Sequence, residues 1–172
     1  GDIDCVQRCI AEGVLVDERS PVTGGVDDDY TPLGVAARDG HSAIVRVLLD
    51  AGADPRQPNG LMGGTPGHEA AYMGHGDVIR ALAETAERRT GAAFEIDTRG
   101  DYNGFTALHD AVWHGHLDAA RALIDAGARL DLRSQSGLTP RDLAVLYGYE
   151  ALAKLLGEAE QVAGSPNPLS AP

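Results

Sequence analysis

The sequence contains little cysteine, and this scarcity excludes two kinds of site. Its 172 residues include two cysteines, Cys5 and Cys9, four apart on one face of a predicted helix. Helix geometry does not bring two such sulfurs into disulfide register, and two thiols without histidine or cysteine neighbours are too few for a structural zinc site. We therefore interpret both as small buried hydrophobic residues, and we expect no metal and no cofactor in this protein.

Long apolar runs and positive charge are also scarce. No apolar run approaches the ~18 residues of a membrane-spanning helix, and no signal peptide is visible, so we expect a cytoplasmic, intracellular protein that does not bind membranes. The 14 basic residues are outnumbered by 26 acidic ones, for a formal net charge of -12. This charge argues against nucleic-acid binding, which depends on neutralising phosphates, and it favours basic or cationic partners.

What the sequence does contain is a repeated frame. A threonine followed nine residues later by a glycine occurs four times, at Thr31, Thr65, Thr106 and Thr139. Successive threonines are 34, 41 and 33 residues apart. A period in this range is typical of stacked repeats, in which each unit packs only against its neighbours. The sequence therefore predicts one solenoid.

The frame resembles the ankyrin repeat, whose signature is Thr-Pro-Leu-His-x-Ala followed by Gly-His, an apolar helix and Gly-Ala-Asp. Residues 104–116 read GFTALHDAVWHGH, and residues 50–54 read DAGAD. The resemblance covers nearly everything before about residue 160. It implies an all-α solenoid of helix-turn-helix units with β-turn fingers. It implies little about function, because one fold carries many functions.

The repeat boundaries follow from these positions. Residues 1–26 are predicted to form a connecting loop and a partial N-terminal repeat, reduced to its second helix, whose first helix lies outside this sequence. The second full repeat is longer than the others by about seven residues, which we expect within residues 84–98, where Gly91 breaks an extended helix. Three full repeats are predicted at residues 27–58, 59–99 and 100–133. A C-terminal capping repeat follows at 134–161 and a flexible tail at 162–172.

The resemblance also implies which positions face a partner. In the ankyrin family, the fingers and the last residues of the inner helices line a concave groove. Six of the eight aromatic residues in this sequence fall on such positions; the alternative is that they pack between repeats as core. Aromatic residues gathered on one exposed face usually mark an interaction site. We therefore predict a partner-binding groove formed by Tyr30, Arg38, Asp39, Met62, Tyr72, Met73, Tyr102, Phe105, Trp113, His114, Leu146 and Tyr147.

The predicted groove has two parts. Its N-terminal end is acidic, with Asp27, Asp28 and Asp39, and its remainder, from Leu61 to Tyr147, is aromatic and apolar. Such a groove suits a protein or peptide with an apolar anchor and a basic flank, or an aromatic or cationic small molecule held by cation–π contacts. We expect a non-enzymatic protein–protein interaction module that binds a protein or peptide partner.

The alternative is a small-molecule binder or a small enzyme built on the same groove. Five of the six histidines occupy frame positions, but His114 is at a free, inward position. Asp110 precedes it by four residues, a spacing at which a carboxylate would orient an imidazole as a general base, and Glu69 occupies the equivalent position one repeat earlier. An Asp–His pair at this spacing often only stabilises a helix, and no nucleophile elbow, phosphate-binding loop or zinc motif accompanies it.

Overall fold

The computed structural model describes residues 1–25, 28–60, 62–90 and 95–164. Over these ranges the chain forms nine α-helices and no β-strand, which confirms the predicted all-α solenoid. The helices are α1 (Ile3–Ala11), α2 (Pro32–Arg38), α3 (Ser42–Asp50), α4 (Pro66–Met73), α5 (Gly76–Thr90), α6 (Ala107–Trp113), α7 (Leu117–Asp125), α8 (Pro140–Leu146) and α9 (Glu150–Gly164).

The helices form two layers. The inner helices α2, α4, α6 and α8 each pack on the next, and the outer helices α3, α5, α7 and α9 do the same. The space between the layers is filled by alanine and branched aliphatic side chains, among them Leu33, Leu108 and Leu123. No repeat buries its apolar face alone, so each depends on its neighbours. Helix α1 packs on α3, as expected for the second helix of a partial repeat.

A histidine in each of two inner helices joins its repeat to the next. The Nδ1 atoms of His68 and His109 accept hydrogen bonds from the cap hydroxyls of Thr65 and Thr106, both at 2.9 Å. Their Nε2–H groups donate to main-chain oxygens of the following finger, at Phe105 (3.2 Å) and at Leu138 (3.1 Å). A neutral imidazole has the one donor and one acceptor that this arrangement needs. The predicted frame role of these two histidines is confirmed.

In the first full repeat, an asparagine makes the corresponding link between the inner helix and the next finger. Gly34 stands where the next two repeats have His68 and His109, and the side chain of Asn59, from the next finger, fills the space above it. Asn59 Oδ1 accepts hydrogen bonds from the main-chain N–H of Thr31 (2.8 Å) and from its hydroxyl (2.9 Å). A Cβ atom on Gly34 would lie 2.1 Å from Asn59 Oδ1. Glycine is therefore required here for steric reasons.

The structure corrects two predictions. Cys5 is exposed and Cys9 is partly exposed, because α1 packs against the core through the face that carries Ile3, Val6 and Ile10. Helix α9 runs to Gly164, three residues into the predicted tail.

In the long second repeat, α5 has 15 residues, whereas α3 and α7 have nine each; the repeat boundaries stay predictions. The predicted helix break at Gly91 and the tail residues 165–172 lie outside the described residues.

We expect Gly34→Ala to lower the free energy of unfolding by about 1–3 kcal/mol, because the added methyl group overpacks the site of Asn59. Alanine in place of glycine usually stabilises a helix by about 1 kcal/mol, so the expected sign is opposite to the usual one. Urea denaturation measures the effect.

Gly157→Ala in α9 is the matched control. Its Cβ atom would meet only the end of the Arg141 side chain, at 3.3 Å, so we expect a neutral or stabilising effect. A Gly34→Ala protein as stable as the Gly157→Ala protein would contradict this account of the first repeat.

Candidate functional site

A cavity of about 660 Å³ opens between the fingers and the inner helices of the first three full repeats. Eight of the twelve predicted partner-binding residues line it, whereas Asp39, His114, Leu146 and Tyr147 do not. Glu69 and Asp110, which the sequence suggested only for an enzyme, also line it. The eight residues are Tyr30, Arg38, Met62, Tyr72, Met73, Tyr102, Phe105 and Trp113.

Helical spacing explains why these side chains share one cavity. Glu69, Tyr72 and Met73 are three and four residues apart on α4, and Asp110 and Trp113 are three apart on α6, so each set projects from one face of its helix. The backs of these helices carry alanines, such as Ala70 and Ala111, which are buried in the core. One face of each inner helix therefore holds the solenoid together and the other forms the cavity.

Glycines in the second finger let its backbone approach the cavity side chains closely. A Cβ atom on Gly60 would lie 2.7 Å from the ring of Tyr30, and one on Gly64 would lie 3.2 Å from Oε1 of Glu69. Gly60 also has a φ of 61°, a conformation that side-chain-bearing residues rarely adopt. Larger residues at these positions would push the finger away from Tyr30 and Glu69.

The predicted exposure is wrong for one aromatic residue. Phe105 is 8% exposed; its ring stacks on His109, with centroids 5.2 Å apart, and meets the edge of Trp113 at 5.6 Å. The core interpretation therefore holds for Phe105. Tyr72, Tyr102, Trp113 and Tyr147 remain exposed.

A side chain of the last repeat orients the indole of Trp113. Its Nε1–H donates a hydrogen bond to the hydroxyl of Tyr147, at 3.1 Å. Tyr147 therefore acts on the cavity through Trp113, although it does not line the cavity itself.

One end of the cavity contains a tyrosine, an arginine and a glutamate in contact. The guanidinium of Arg38 lies over the ring of Tyr30, 5.1 Å from its centroid, and the Tyr30 hydroxyl donates to the carboxylate of Glu69. Burial raises the pKa of Glu69 to about 7, against the lowering effects of Tyr30 and Arg38. Burial, then the charge of Glu69, raises the pKa of Tyr30 to about 12.

Asp110 is the second buried carboxyl group of the cavity. It is 8% exposed, and its carboxylate accepts no hydrogen bond from the residues that the structure describes. Burial, then the nearby charge of Glu69, raises the pKa of Asp110 to about 7. Two adjacent inner helices therefore direct one carboxyl group each into the same cavity.

The predicted Asp110–His114 pair does not form. Nδ1 of His114 faces the main-chain oxygen of Asp110, at 3.3 Å, because His114 caps the C-terminal end of α6 and its ring packs on Tyr72, with centroids 4.1 Å apart. Of the three residues suggested for catalysis, the cavity brings together Glu69 and Asp110 and leaves out His114.

The acidic N-terminal end of the groove is also different from the prediction. The carboxylate of Asp28 accepts hydrogen bonds from the main-chain N–H groups of Thr23, Gly24 and Gly25. The Thr23 N–H is the largest influence lowering the pKa of Asp28. Asp39 pairs with Arg38, at 2.9 Å. Both carboxylates are therefore bonded to groups that are near them in the sequence.

Asp27 and Leu61 lie outside the described residues. Three carboxyl groups line the cavity: Asp28, whose oxygens are bonded to its own loop, and Glu69 and Asp110, which lie in the aromatic part. The sequence contained a signal for these two buried acidic residues. Glu69 and Asp110 occupy the repeat position at which the first full repeat and the capping repeat have Val35 and Leu143.

Two kinds of site are absent from the part of the chain that the structure describes. It contains no group of three or more histidine, cysteine or acidic side chains arranged to hold a metal ion. In the same residues, no helix combines the length and the apolar character needed to cross a membrane.

Comparison with known proteins identifies the repeats. The family model for ankyrin repeats, which describes three copies, matches this chain in three overlapping places, over residues 1–93, 58–134 and 96–165. The chain therefore belongs to the ankyrin-repeat family, whose members are generally protein–protein interaction modules.

A curated relative extends the comparison. The chain is similar to the transient receptor potential cation channel subfamily A member 1 homolog of Caenorhabditis elegans, with 32% identity over 129 residues. The match covers 75% of this chain and 10% of that protein, so the chain spans about a tenth of the length of this relative.

The two buried carboxyl groups make the stability depend on pH. A carboxyl with a pKa of about 7 in the folded state and about 4 in the unfolded state holds its proton more tightly when folded. Its contribution to stability is complete below about pH 4 and is lost as the pH rises through 7. We expect the free energy of unfolding to fall between about pH 5 and about pH 8, and Asp110→Asn to reduce this fall by ~1–3 kcal/mol.

Urea unfolding across this pH range tests the prediction. Asp125→Asn makes the same charge change at an exposed position of α7 and should leave the wild-type fall unaltered. If Asp110→Asn and Asp125→Asn proteins show the same pH profile, the carboxyl group of Asp110 is not buried in the way described.

Proposed function

We propose that this chain is a non-enzymatic interaction module that binds a protein or peptide partner in the groove between its fingers and inner helices. The observation that carries the proposal is the apolar lining of the cavity, where Met62, Tyr72, Met73 and Tyr102 remain exposed. Large apolar side chains gathered on one concave surface usually mark an interaction site. The general role of ankyrin repeats supports the same conclusion.

The extent of the exposed surface favours a segment of polypeptide. Beyond the cavity, the exposed side chains of Leu146 and Tyr147 continue the apolar surface into the last repeat. The hydrogen bond from Trp113 to Tyr147 joins the two parts. A partner that crosses from Met62 to Leu146 must be longer than a small ligand. Because the finger contacts are made within the chain itself, we expect little backbone change on binding.

The charge of the chain favours a basic partner. The net charge of -12 raises the association rate of cationic partners at low ionic strength. The apolar anchor and basic flank suggested by the sequence remain part of the proposal. The cytoplasmic location and the expected lack of nucleic-acid or membrane partners stay predictions.

A small aromatic or cationic ligand is the second candidate. The volume of the cavity, about 660 Å³, is in the range of small-molecule sites. The enzyme form of this alternative loses its main support, because Asp110 and His114 do not pair through their side chains.

Peptides selected from a displayed random library on the wild-type protein provide a direct test. We expect Trp113→Ala to weaken their binding by ~2–4 kcal/mol, as is usual for a hot-spot aromatic residue. Tyr102→Ala should also weaken binding, and Tyr102 is 73% exposed, so its removal leaves the core intact. Isothermal titration calorimetry measures the affinities, and circular dichroism checks that each variant is folded.

Leu15→Ala is the matched control, because Leu15 is 72% exposed and does not line the cavity. Wild-type affinity is expected for this variant. Peptides that are insensitive to Trp113→Ala and Tyr102→Ala would show that the groove is not the binding surface.

A further inference from the structure

We propose that the cavity recognises the guanidinium group of an arginine side chain from the partner, held by the carboxylate of Asp110, with Glu69 nearby, against the aromatic lining that includes Tyr72 and Trp113. The inference rests on the proposed function and names the side chain that the partner contributes. It specifies the basic part of the partner as one cationic group placed within the aromatic lining.

The environment of Asp110 favours a cationic ligand. Buried carboxylates are nearly always paired with donors or cations. Asp110 is 8% exposed, and its carboxylate accepts no hydrogen bond from the described part of the chain. Its side chain lines the cavity. Its oxygens are not among the fully buried, unpartnered atoms of the described residues, so they open to the cavity, from which a complementary group reaches them.

The fold does not need a carboxylate at the position of Asp110. The equivalent residue of the last repeat is Leu143, which is buried and packs in the core. In the first full repeat it is Val35, within α2. An aliphatic side chain therefore satisfies the helix stacking, and the acidic residues at Asp110 and Glu69 serve something other than packing.

At one end of the cavity, a cation of the chain already lies beside an aromatic ring and a carboxylate. There the guanidinium of Arg38 lies over the ring of Tyr30, beside the carboxylate of Glu69. One repeat further on, Asp110 stands beside Tyr72 and Trp113 in the same cavity. Among the described residues that line the cavity, Arg38 is the single cation. The same combination of ring and carboxylate is thus present a second time.

The geometry favours arginine over lysine. A guanidinium group is planar, stacks on aromatic faces and donates paired hydrogen bonds to a carboxylate, whereas an ammonium group is a compact point charge with a strong hydration shell. Carboxyl groups on two adjacent helices, next to two large rings, match the flat shape of guanidinium. Because Asp110 is already buried in the unliganded protein, part of the desolvation cost is present before binding.

Binding of a cation favours the ionised carboxylates, so the affinity should fall as the medium is made acidic. The pKa of about 7 for both carboxyl groups places this loss near neutral pH. Besides Glu69, the charged groups that line the cavity are Asp28 and Arg38, and burial lowers the pKa of the His68 imidazole in the same lining. The helices packed on α6 also carry Asp118, Arg121, Asp125, Arg141 and Asp142.

The test uses the library-selected peptides and replaces each arginine by citrulline, which has the same shape and no charge. Trp113 is the single tryptophan of the chain, so its fluorescence reports binding at the cavity directly. We expect one citrulline replacement to weaken binding to the wild-type protein at least about tenfold. Asp110→Asn should abolish this preference, Glu69→Gln should reduce it, and Asp125→Asn should retain it.

The outcomes separate this inference from the proposed function. Groove-dependent peptides that do not distinguish arginine from citrulline, or that keep the preference in the Asp110→Asn protein, would overturn the inference and leave the interaction module standing. Peptides that bind equally well with lysine would overturn the guanidinium specificity.

If no groove-dependent peptide is recovered, the proposed function fails. In that case, separate titrations of the protein with acetyl-arginine amide and with acetyl-citrulline amide test whether the cavity binds a guanidinium group. Equal Trp113 responses to the two compounds would overturn the inference, whereas a selective response to the arginine compound, lost in Asp110→Asn, would support it.

Discussion

The structure depends on the hydrogen bonds that tie each inner helix to the finger of the next repeat. The imidazoles of His68 and His109 accept from a cap threonine and donate to a main-chain oxygen one repeat further on. Burial lowers the pKa of both histidines, which favours the neutral ring that these two bonds require. Asn59 makes the corresponding link in the first full repeat. These contacts fix the distance between fingers and helices, and therefore the width of the groove.

Phe105 connects this frame to the groove. Its main-chain oxygen accepts the hydrogen bond of His68, and its buried ring supports the edge of Trp113. The indole is held a second time by Tyr147. The position of the most prominent aromatic residue in the groove is thus set by three successive repeats. We infer that the groove is preformed in the free protein, and that a partner gains affinity without ordering these side chains.

Much of the fold could be predicted from the sequence, because a solenoid is built from local contacts repeated at one period. The four threonine–glycine frames were enough to predict the paired helices and the long α5. Helical spacing also decides which face of a helix a residue occupies, and eight of the twelve predicted groove residues line the cavity. The burial of Phe105 was not predictable in this way, because it depends on the packing of its ring against His109 and Trp113.

The chemistry of the site was less accessible to sequence reasoning. Helical spacing places Asp110 and His114 on a common face, but it does not give the side-chain conformation at a helix end, where the His114 ring packs on Tyr72. The acidity expected at Asp28 is satisfied by a loop whose main-chain N–H groups surround the carboxylate. The two carboxyl groups to which we assign a role in recognition are those of Glu69 and Asp110. Their burial depends on the packing of neighbouring repeats and could not be read from the sequence.

The central claim is that Asp110 presents a buried carboxyl group to a cation that enters the groove. The most direct measurement is the NMR titration of the Asp110 carboxyl carbon in selectively labelled protein, alone and with acetyl-arginine amide. The account predicts a pKa of about 7 in the free protein and a lower pKa when the arginine compound is bound. A carboxyl group that titrates near its ordinary value of about 4 in the free protein, with no change on adding the compound, would contradict it.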